Sequence, residues 1–352
     1  MDASAEHSLL RRCASLLVPW YRQVRRELPW RDRPTPYQVW ISEIMLQQTR
    51  IEAVIPYYAR FLAELPDVAA LAAVPEDRLL KLWEGLGYYS RARNLKKAAQ
   101  LVMDEYGGEL PRTAAELRKL PGIGDYTAGA VASIACGEPE PAVDGNVLRV
   151  IMRVTACEDD VLSQKTKSRV ADALREVYPA GEEAGLLTEG LMELGETVCL
   201  PNGEPRCEVC PLNSLCLARE RGLTAELPRR SPKKERRIEE KTVLLLRCAG
   251  KYALRRREET GLLAGMWEFP SLPGKRSSEE VRAALEKAGL TPGEIRQCGE
   301  AMHVFTHVEW HMRGFSVDFP GPSGEFMWKS PDEIRAGFAV PTAFKAYLKL
   351  LK

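Results

Sequence analysis

The chain has 352 residues, 45% of them hydrophobic and 28% charged, with 50 Lys and Arg against 49 Asp and Glu. This length predicts two domains, the near-neutral balance excludes a uniformly basic nucleic-acid coat, and no run approaches the roughly 20 apolar residues of a membrane helix. The opening MDASAEHSLLRRCASLL has no basic start followed by an apolar run, so no secretory signal is expected and a cytoplasmic, monomeric protein is.

Residues 1–225 read as almost entirely helical, with periodic apolar segments cut by Pro and Gly. Helices are predicted at 37–49, 54–65, 76–84, 90–106, 114–120 and 126–136, with more starting near Val147, Lys165 and Leu186. The run PRRSPKKERRIEEK (228–241) carries seven Lys and Arg against three Glu and predicts an exposed linker. Beyond it the pattern turns β-like at 242–248, 252–256, 302–308 and 313–318, with one helix at 278–288. The second domain is therefore expected to be α+β.

Nine cysteines without a signal segment do not form a disulfide framework. Cys13, Cys136, Cys157, Cys248 and Cys298 are scattered and read as small buried apolar residues. Cys199, Cys207, Cys210 and Cys216 cluster with the spacing C-x7-C-x2-C-x5-C. Four thiolates in so short a loop surround one metal centre, and the spacing alone leaves zinc and an iron–sulfur cluster both open.

The string Leu120-Pro-Gly-Ile-Gly-Asp-Tyr-Thr-Ala128 lies between two helical patterns. Gly122 and Gly124 permit a tight turn, and the amides that open the next helix suit a phosphate oxygen. This is the logic of a helix-hairpin-helix, which holds DNA by its backbone. Glu43 sits among Trp40, Ile41, Ile44, Met45 and Leu46, where lost hydration raises a carboxyl pKa and prepares it to donate a proton. Asp144 precedes Gly145 and Asn146 at a helix start. Capping amides and the helix dipole are expected to keep it ionised there. One neutral and one charged carboxyl form the pair used to cleave glycosidic bonds.

Together these motifs resemble the helix-hairpin-helix glycosylases with a C-terminal iron–sulfur cluster, the endonuclease III type, and within them the MutY family of adenine glycosylases. The likeness spans essentially the full length. It is carried by PWR (29–31), SEIMLQQT (42–49), WEGLGYYSRARNL (83–95), LPGIGDYTAGAVASIA (120–135), VDGNVLRV (143–150) and the clustered cysteines. ALRRREETGLLAGMWEFPSLP (253–273) resembles that family's MutT-like, Nudix-fold domain, although 278–290 lacks the Glu-rich box of a Nudix hydrolase.

The resemblance implies a multidomain protein. An all-α helix-hairpin-helix glycosylase domain would span 1–225, with the hairpin at about 114–136 and an iron–sulfur loop at 199–216. A basic linker would follow at 226–240, then an α+β Nudix-like domain at 241–352 that recognises 8-oxoguanine. The implied reaction is base-excision removal of adenine mispaired with 8-oxoguanine or guanine in double-stranded DNA. Glu43 would protonate adenine at N7. Asp144 would stabilise the sugar cation by charge or a transient covalent bond, with Tyr126 and Asn146 assisting. Arg26, Trp30, Arg31 and Glu189 would line the adenine pocket. Gln48, Thr49, Leu86, Tyr88, Phe305, Thr306 and His307 would meet 8-oxoguanine, with Leu86 and Tyr88 as a wedge into the stack, while Gly122 and Gly124 hold the backbone. Cys199, Cys207, Cys210 and Cys216 would ligate a [4Fe–4S] cluster, the first gap holding seven residues where six is usual. Thr306 replaces the family's Ser.

Three rivals remain at this level. A bifunctional glycosylase/lyase for oxidised pyrimidines would carry a Lys where this chain has Tyr126, so no Schiff base is expected there. The others are a non-catalytic iron–sulfur DNA-binding protein and a Nudix nucleotide hydrolase.

Overall fold

The structure is a computed structural model that describes residues 2–232 and 235–352; Lys233 and Lys234 of the basic run lie outside the described residues. The chain forms two compact units, Met1–Val74 with Asn94–Pro232 and Pro75–Arg93 with Lys233–Lys352. Among the described residues no helix is long and apolar enough to cross a membrane.

The helices in chain order are α1 (Ala3–Val24), α2 (Pro36–Leu46), α3 (Ile51–Glu64), α4 (Val68–Ala73), α5 (Glu76–Leu82), α6 (Ser90–Glu105), α7 (Ala114–Leu117), α8 (Asp125–Cys136), α9 (Gly145–Val154), α10 (Gln164–Arg175), α11 (Glu182–Thr197) and α12 (Leu217–Glu220). In the first unit α11 is central and packs against α1, α8 and α9. It buries Ala184, Leu187, Leu191 and Leu194 on one side, and each large apolar side chain so buried contributes roughly 1.5–3 kcal/mol.

The 22-residue α1 was not among the predicted helices. Asp2 caps it by accepting the Ala5 amide at 2.8 Å, and Leu10, Cys13, Leu17 and Tyr21 bury its inner stripe. α2 ends at Leu46, three residues short of expectation, because Gln48 adopts φ +57°. A capping box between Thr35 and Gln38 starts it. Of the five scattered cysteines, Cys13 and Cys248 are buried, whereas Cys136, Cys157 and Cys298 are partly exposed.

In the second unit a seven-stranded mixed sheet is built from β1 (Arg237–Cys248), β2 (Lys251–Arg256), β3 (Trp267–Glu268), β4 (Ser271–Pro273), β5 (Ile295–Val304), β6 (Val308–Asp318) and β7 (Met327–Lys329). The order β3-β2-β1-β6-β5 places β1 parallel to β6, from Arg237 opposite Val308 to Arg247 opposite Asp318. The remaining pairs are antiparallel. α13 (Ser278–Lys287), α14 (Pro331–Gly337) and α15 (Lys345–Leu348) accompany the sheet.

β1 begins inside the stretch read as linker. The strand expected over 302–308 is instead two strands, broken at Phe305, Thr306 and His307. Apolar alternation continues through this segment, but Phe305 N donates to Val308 O at 2.8 Å and closes a hairpin there.

Candidate active site

The hairpin is set by backbone geometry. α7 ends at Leu117, and Gly124 caps α8. Gly122 has φ +79°, and a Cβ on it would stand 2.6 Å from Asn94 Cβ, so glycine is required on both counts. Gly124 is exposed, and as the N-cap of α8 it brings no side chain to cap the first amides. The exposed Asp125 at that end is paired with Arg118 at 2.7 Å, which offsets its charge. Arg118 also bonds Glu140, which Arg175 holds from α10 at 2.9 Å.

α8 carries Tyr126 inward. A Cβ on Gly129 would meet Pro141 O at 2.3 Å, so the chain leading to Asp144 runs directly against this helix. α2 packs on α8 as well. Eight of its side chains are buried, Glu43 among them at 5% exposure. Tyr126 Oη donates to Glu43 Oε2 at 2.5 Å. Burial pushes the Glu43 carboxyl up to about 7; the hydrogen bond from Tyr126 pulls against that, and the charge of Asp144 adds to it. Burial, with Glu43 and Asp144 nearby, holds the Tyr126 phenol well above its ordinary value, so it remains a donor.

Asp144 is the N-cap of α9. Oδ1 accepts the Val147 amide at 2.7 Å and Oδ2 accepts Asn146 Nδ2 at 3.0 Å. The cap expected from sequence is present, and burial works against the ionised form that it favours. Burial raises the Asp144 carboxyl above the ordinary value, and the capping donors offset only part of this. Arg149 Nη2 holds Asn146 Oδ1 at 2.8 Å, while its Nε donates to Cys199 O at 2.7 Å and its Nη2 to Gly195 O at 2.6 Å. One guanidinium therefore joins the neighbour of Asp144 to the first cysteine of the loop.

Trp30, Arg31, Glu43, Thr49, Tyr126, Asp144, Asn146 and Glu189 line one cleft of about 740 Å³. Trp30 is fixed edge-on against Tyr58, with ring centroids 5.3 Å apart. Glu189 accepts from Tyr21 Oη at 3.1 Å and faces Arg31 Nε at 3.9 Å; burial raises its carboxyl. Arg31 Nη1 is buried with no hydrogen-bond partner among the described residues. Arg26 does not line the cleft. It pairs with Glu193 at 2.5 Å and Glu196 at 2.7 Å and borders an adjoining cavity. Gln48 is exposed just beyond α2.

Sequence reasoning missed Glu193, which is 2% exposed and receives both Arg26 and Arg31, and Glu196 and Met192, which line the cleft. The signal was the spacing of Glu189, Glu193 and Glu196, which puts three carboxylates on one face of a helix.

In the second unit Tyr88 is exposed at φ +48°, and its hydroxyl lies 3.1 Å from Thr306 Oγ1. Phe305 stacks edge-on against Trp310 at 4.9 Å, and His307 is exposed. Leu86 is buried, at 6% exposure, rather than presented at the surface. On α13, Glu280 accepts the Ser277 amide at 2.8 Å in a capping box, so that carboxylate serves its own helix.

Cys199, Cys207, Cys210 and Cys216 line a single cavity with Val150, Val154 and Leu194. Burial pushes the Cys210 thiol up to about 12 and raises Cys216, each reinforced by neighbouring thiols, so a cationic centre is needed to draw these sulfurs to thiolates. Among the described residues no group of three or more His, Cys, Asp or Glu side chains is placed to hold a metal ion. Four cysteines lining one cavity supply the ligand set that an iron–sulfur cluster requires. Arg153 Nη1 donates to Cys199 Sγ at 3.3 Å, the kind of contact that tunes a cluster sulfur. The residues present fit such a group.

Residues 41–180 match the model of the HhH-GPD superfamily base excision DNA repair protein, and residues 242–350 match that of a NUDIX domain. The human adenine DNA glycosylase is 35% identical over an alignment that covers 95% of this chain and 73% of that protein. This chain belongs to the adenine DNA glycosylase family. Among solved structures, a thermostable thymine-DNA glycosylase is similar with a TM-score of 0.56 at 29% identity, covering 62% of this chain and 100% of that one. An endonuclease III in a non-covalent DNA complex gives 0.52 at 27%, covering 63% and 99%. The fold is the helical glycosylase fold of this superfamily with a C-terminal Nudix-like domain.

Proposed function

We propose that this family member hydrolyses the N-glycosidic bond of adenine mispaired with 8-oxoguanine or guanine in duplex DNA, without lyase chemistry. The observation that carries the reading is the cleft that joins a neutral-leaning Glu43, hydrogen-bonded by Tyr126, to Asp144. The bond to be broken lies inside the base stack, so the adenine nucleotide must be flipped out to reach it.

Glu43 donates its proton to adenine N7. The C1′–N9 bond then breaks with its electron pair going to the base, which leaves as neutral adenine. Asp144 stabilises the positive charge left on the sugar, and Asn146 and the Val147 amide hold that carboxylate in place. Water adds at C1′, and its released proton restores Glu43. Arg31 Nη1, buried and unpaired among the described residues, offers a donor to a ring nitrogen of the base. Trp30 supplies an apolar face, and Glu189 accepts from the exocyclic amine. Tyr126, an aromatic alcohol where lyase relatives have an amine, supports hydrolysis alone.

Gln48 and Thr49 from the first unit, and Tyr88, Phe305, Thr306 and His307 from the second, are the proposed 8-oxoguanine contacts. The Nudix-like domain serves as a binding module. Cys199, Cys207, Cys210 and Cys216 hold a [4Fe–4S] cluster, which when bound fixes the loop 199–216. Chemical analysis should then find about four irons per chain; zinc in their place would refute that assignment.

Single-turnover assays on duplexes with adenine opposite 8-oxoguanine, guanine or thymine, and with thymine glycol, test the reaction. Adenine loss from the first two, with strand breaks appearing only after alkali, is the expected result. Thymine glycol cleavage without alkali would overturn it.

A further inference from the structure

A second cavity, of about 1200 Å³, shares Asp144 with the cleft. Its wall includes Gly145, Arg149, Lys167, Asn202 and Arg230. Arg230 belongs to the basic run that the sequence presents as an exposed linker, and the start of that run is tied down. Leu227 O accepts Arg153 Nε at 2.8 Å, and Arg229 O accepts the Val161 amide at 3.0 Å. Ser231 Oγ donates to Asp160 Oδ2 at 2.5 Å, and the Arg229 guanidinium pairs with Glu158 at 2.5 Å. Four contacts in five residues hold this segment against the first unit.

The pinning sorts the two arginines. Arg229 is neutralised by Glu158, whereas Arg230 borders the cavity with Lys167 of α10. Among the described residues neither Arg230 nor Lys167 has a carboxylate within ion-pair distance. The nearby acids already have donors. Asp144 takes the Val147 amide and Asn146, and Asp160 takes Ser231 and the Leu162 amide at 3.0 Å. Two solvent-reaching cations therefore stand without a direct ion pair beside the carboxylate that would face the sugar, Arg230 adding only through space to the contacts that hold Asp160. In a chain with net charge +1, such local placement decides where an anion binds.

We propose that this cavity is a phosphodiester site. Lys167 and Arg230 hold the backbone of the DNA strand whose adenine enters the cleft. A nucleotide with its base in the cleft sets its deoxyribose at Asp144, and the phosphates on that sugar continue along the wall that Asp144 shares with the cavity. Such contacts carry no sequence information but fix register on the duplex, which suits an enzyme acting in any context. The first residues of the linker are thus part of the nucleic-acid interface. This inference rests on the reading of the chain as a DNA glycosylase and adds to it the residues that grip the reacting strand.

The test uses the full chain and a duplex with a non-hydrolysable adenine nucleotide opposite 8-oxoguanine, with binding measured across a salt series. Lys167→Ala and Arg230→Ala should each flatten the slope of log K against log salt by about 0.9, and the double variant by about twice that, in every sequence context. Lys167→Arg and Arg230→Lys keep the charge and should restore the slope, which separates lost phosphate contacts from lost folding. A double variant with the wild-type slope overturns the proposal, whether its binding is weakened or not. Adenine release by the wild type is read separately. A wild type that binds with these slopes but releases no adenine would refute the reaction and leave the phosphate site standing.

Discussion

Tyr126 Oη donates a 2.5 Å hydrogen bond to Glu43 Oε2, so the group that the cleft offers as an acid is held by a phenol that burial keeps protonated. The bond favours the ionised form of Glu43 and burial disfavours it; burial is the larger effect, and the carboxyl rests at about 7. Glu43 and Asp144 share that cleft and are both raised by burial, but they differ in their donors: Glu43 accepts from Tyr126, Asp144 from Asn146 and the Val147 amide.

Glu43→Gln keeps an acceptor for Tyr126 but removes the proton. The single-turnover rate should fall about 10²–10⁴-fold, with duplex binding retained. A near-normal rate would remove Glu43 from the reaction.

The rate should follow a bell in pH. It needs Glu43 protonated, so it declines as pH rises through about 7. It needs Asp144 ionised, so it also declines on the acid side, at a pH above the ordinary aspartate range because burial raises that carboxyl. Tyr126→Phe removes the bond that favours ionised Glu43, so the alkaline limb should move to higher pH; an unmoved or lowered limb contradicts this role. The same pKa bears on stability. A carboxyl raised from 4.5 to about 7 contributes stability below pH 4.5 that is lost as pH rises to about 7. Above pH 7, Glu43→Gln should therefore unfold less readily than wild type, by up to about 3 kcal/mol, as thermal melts at paired pH values would read.

Asp144→Asn should preserve the start of α9, since Asn caps helices as well as Asp does. Removing the anion beside the sugar cation should lower the rate about 10²–10³-fold or more. Circular dichroism would check the fold and single-turnover kinetics the loss. Wild-type rates would sink the role of Asp144.

Gly122→Ala combines φ +79° with a Cβ placed 2.6 Å from Asn94 Cβ. The strain should cost about 1–3 kcal/mol, seen as a lower denaturation midpoint, together with weaker binding to any duplex. Unchanged binding in a folded variant would argue that the hairpin does not hold DNA.

Thr306→Val keeps the side-chain shape but removes the hydroxyl that meets Tyr88 at 3.1 Å. The preference for adenine opposite 8-oxoguanine over adenine opposite guanine should fall several-fold, more than the rate on the guanine mispair does. Equal loss on both substrates would count against a sensing role for this pair.

What is local can be read from the residues in order along the chain. Glycine spacing at Gly122 and Gly124 marked the hairpin, apolar neighbours marked Glu43 as desolvated, and Asp-Gly-Asn marked a cap at Asp144. These depend on residues a few positions apart, where periodicity and turn chemistry speak directly. Tertiary structure alone decided which distant groups meet. Glu193 lies 162 residues from its partner Arg31, and Glu43 lies 83 from Tyr126. It also decided that burial outweighs capping at Asp144, that Leu86 is interior, and that the 302–308 segment folds back at Phe305. No window of sequence records these outcomes, because desolvation and pairing depend on what the rest of the chain brings alongside.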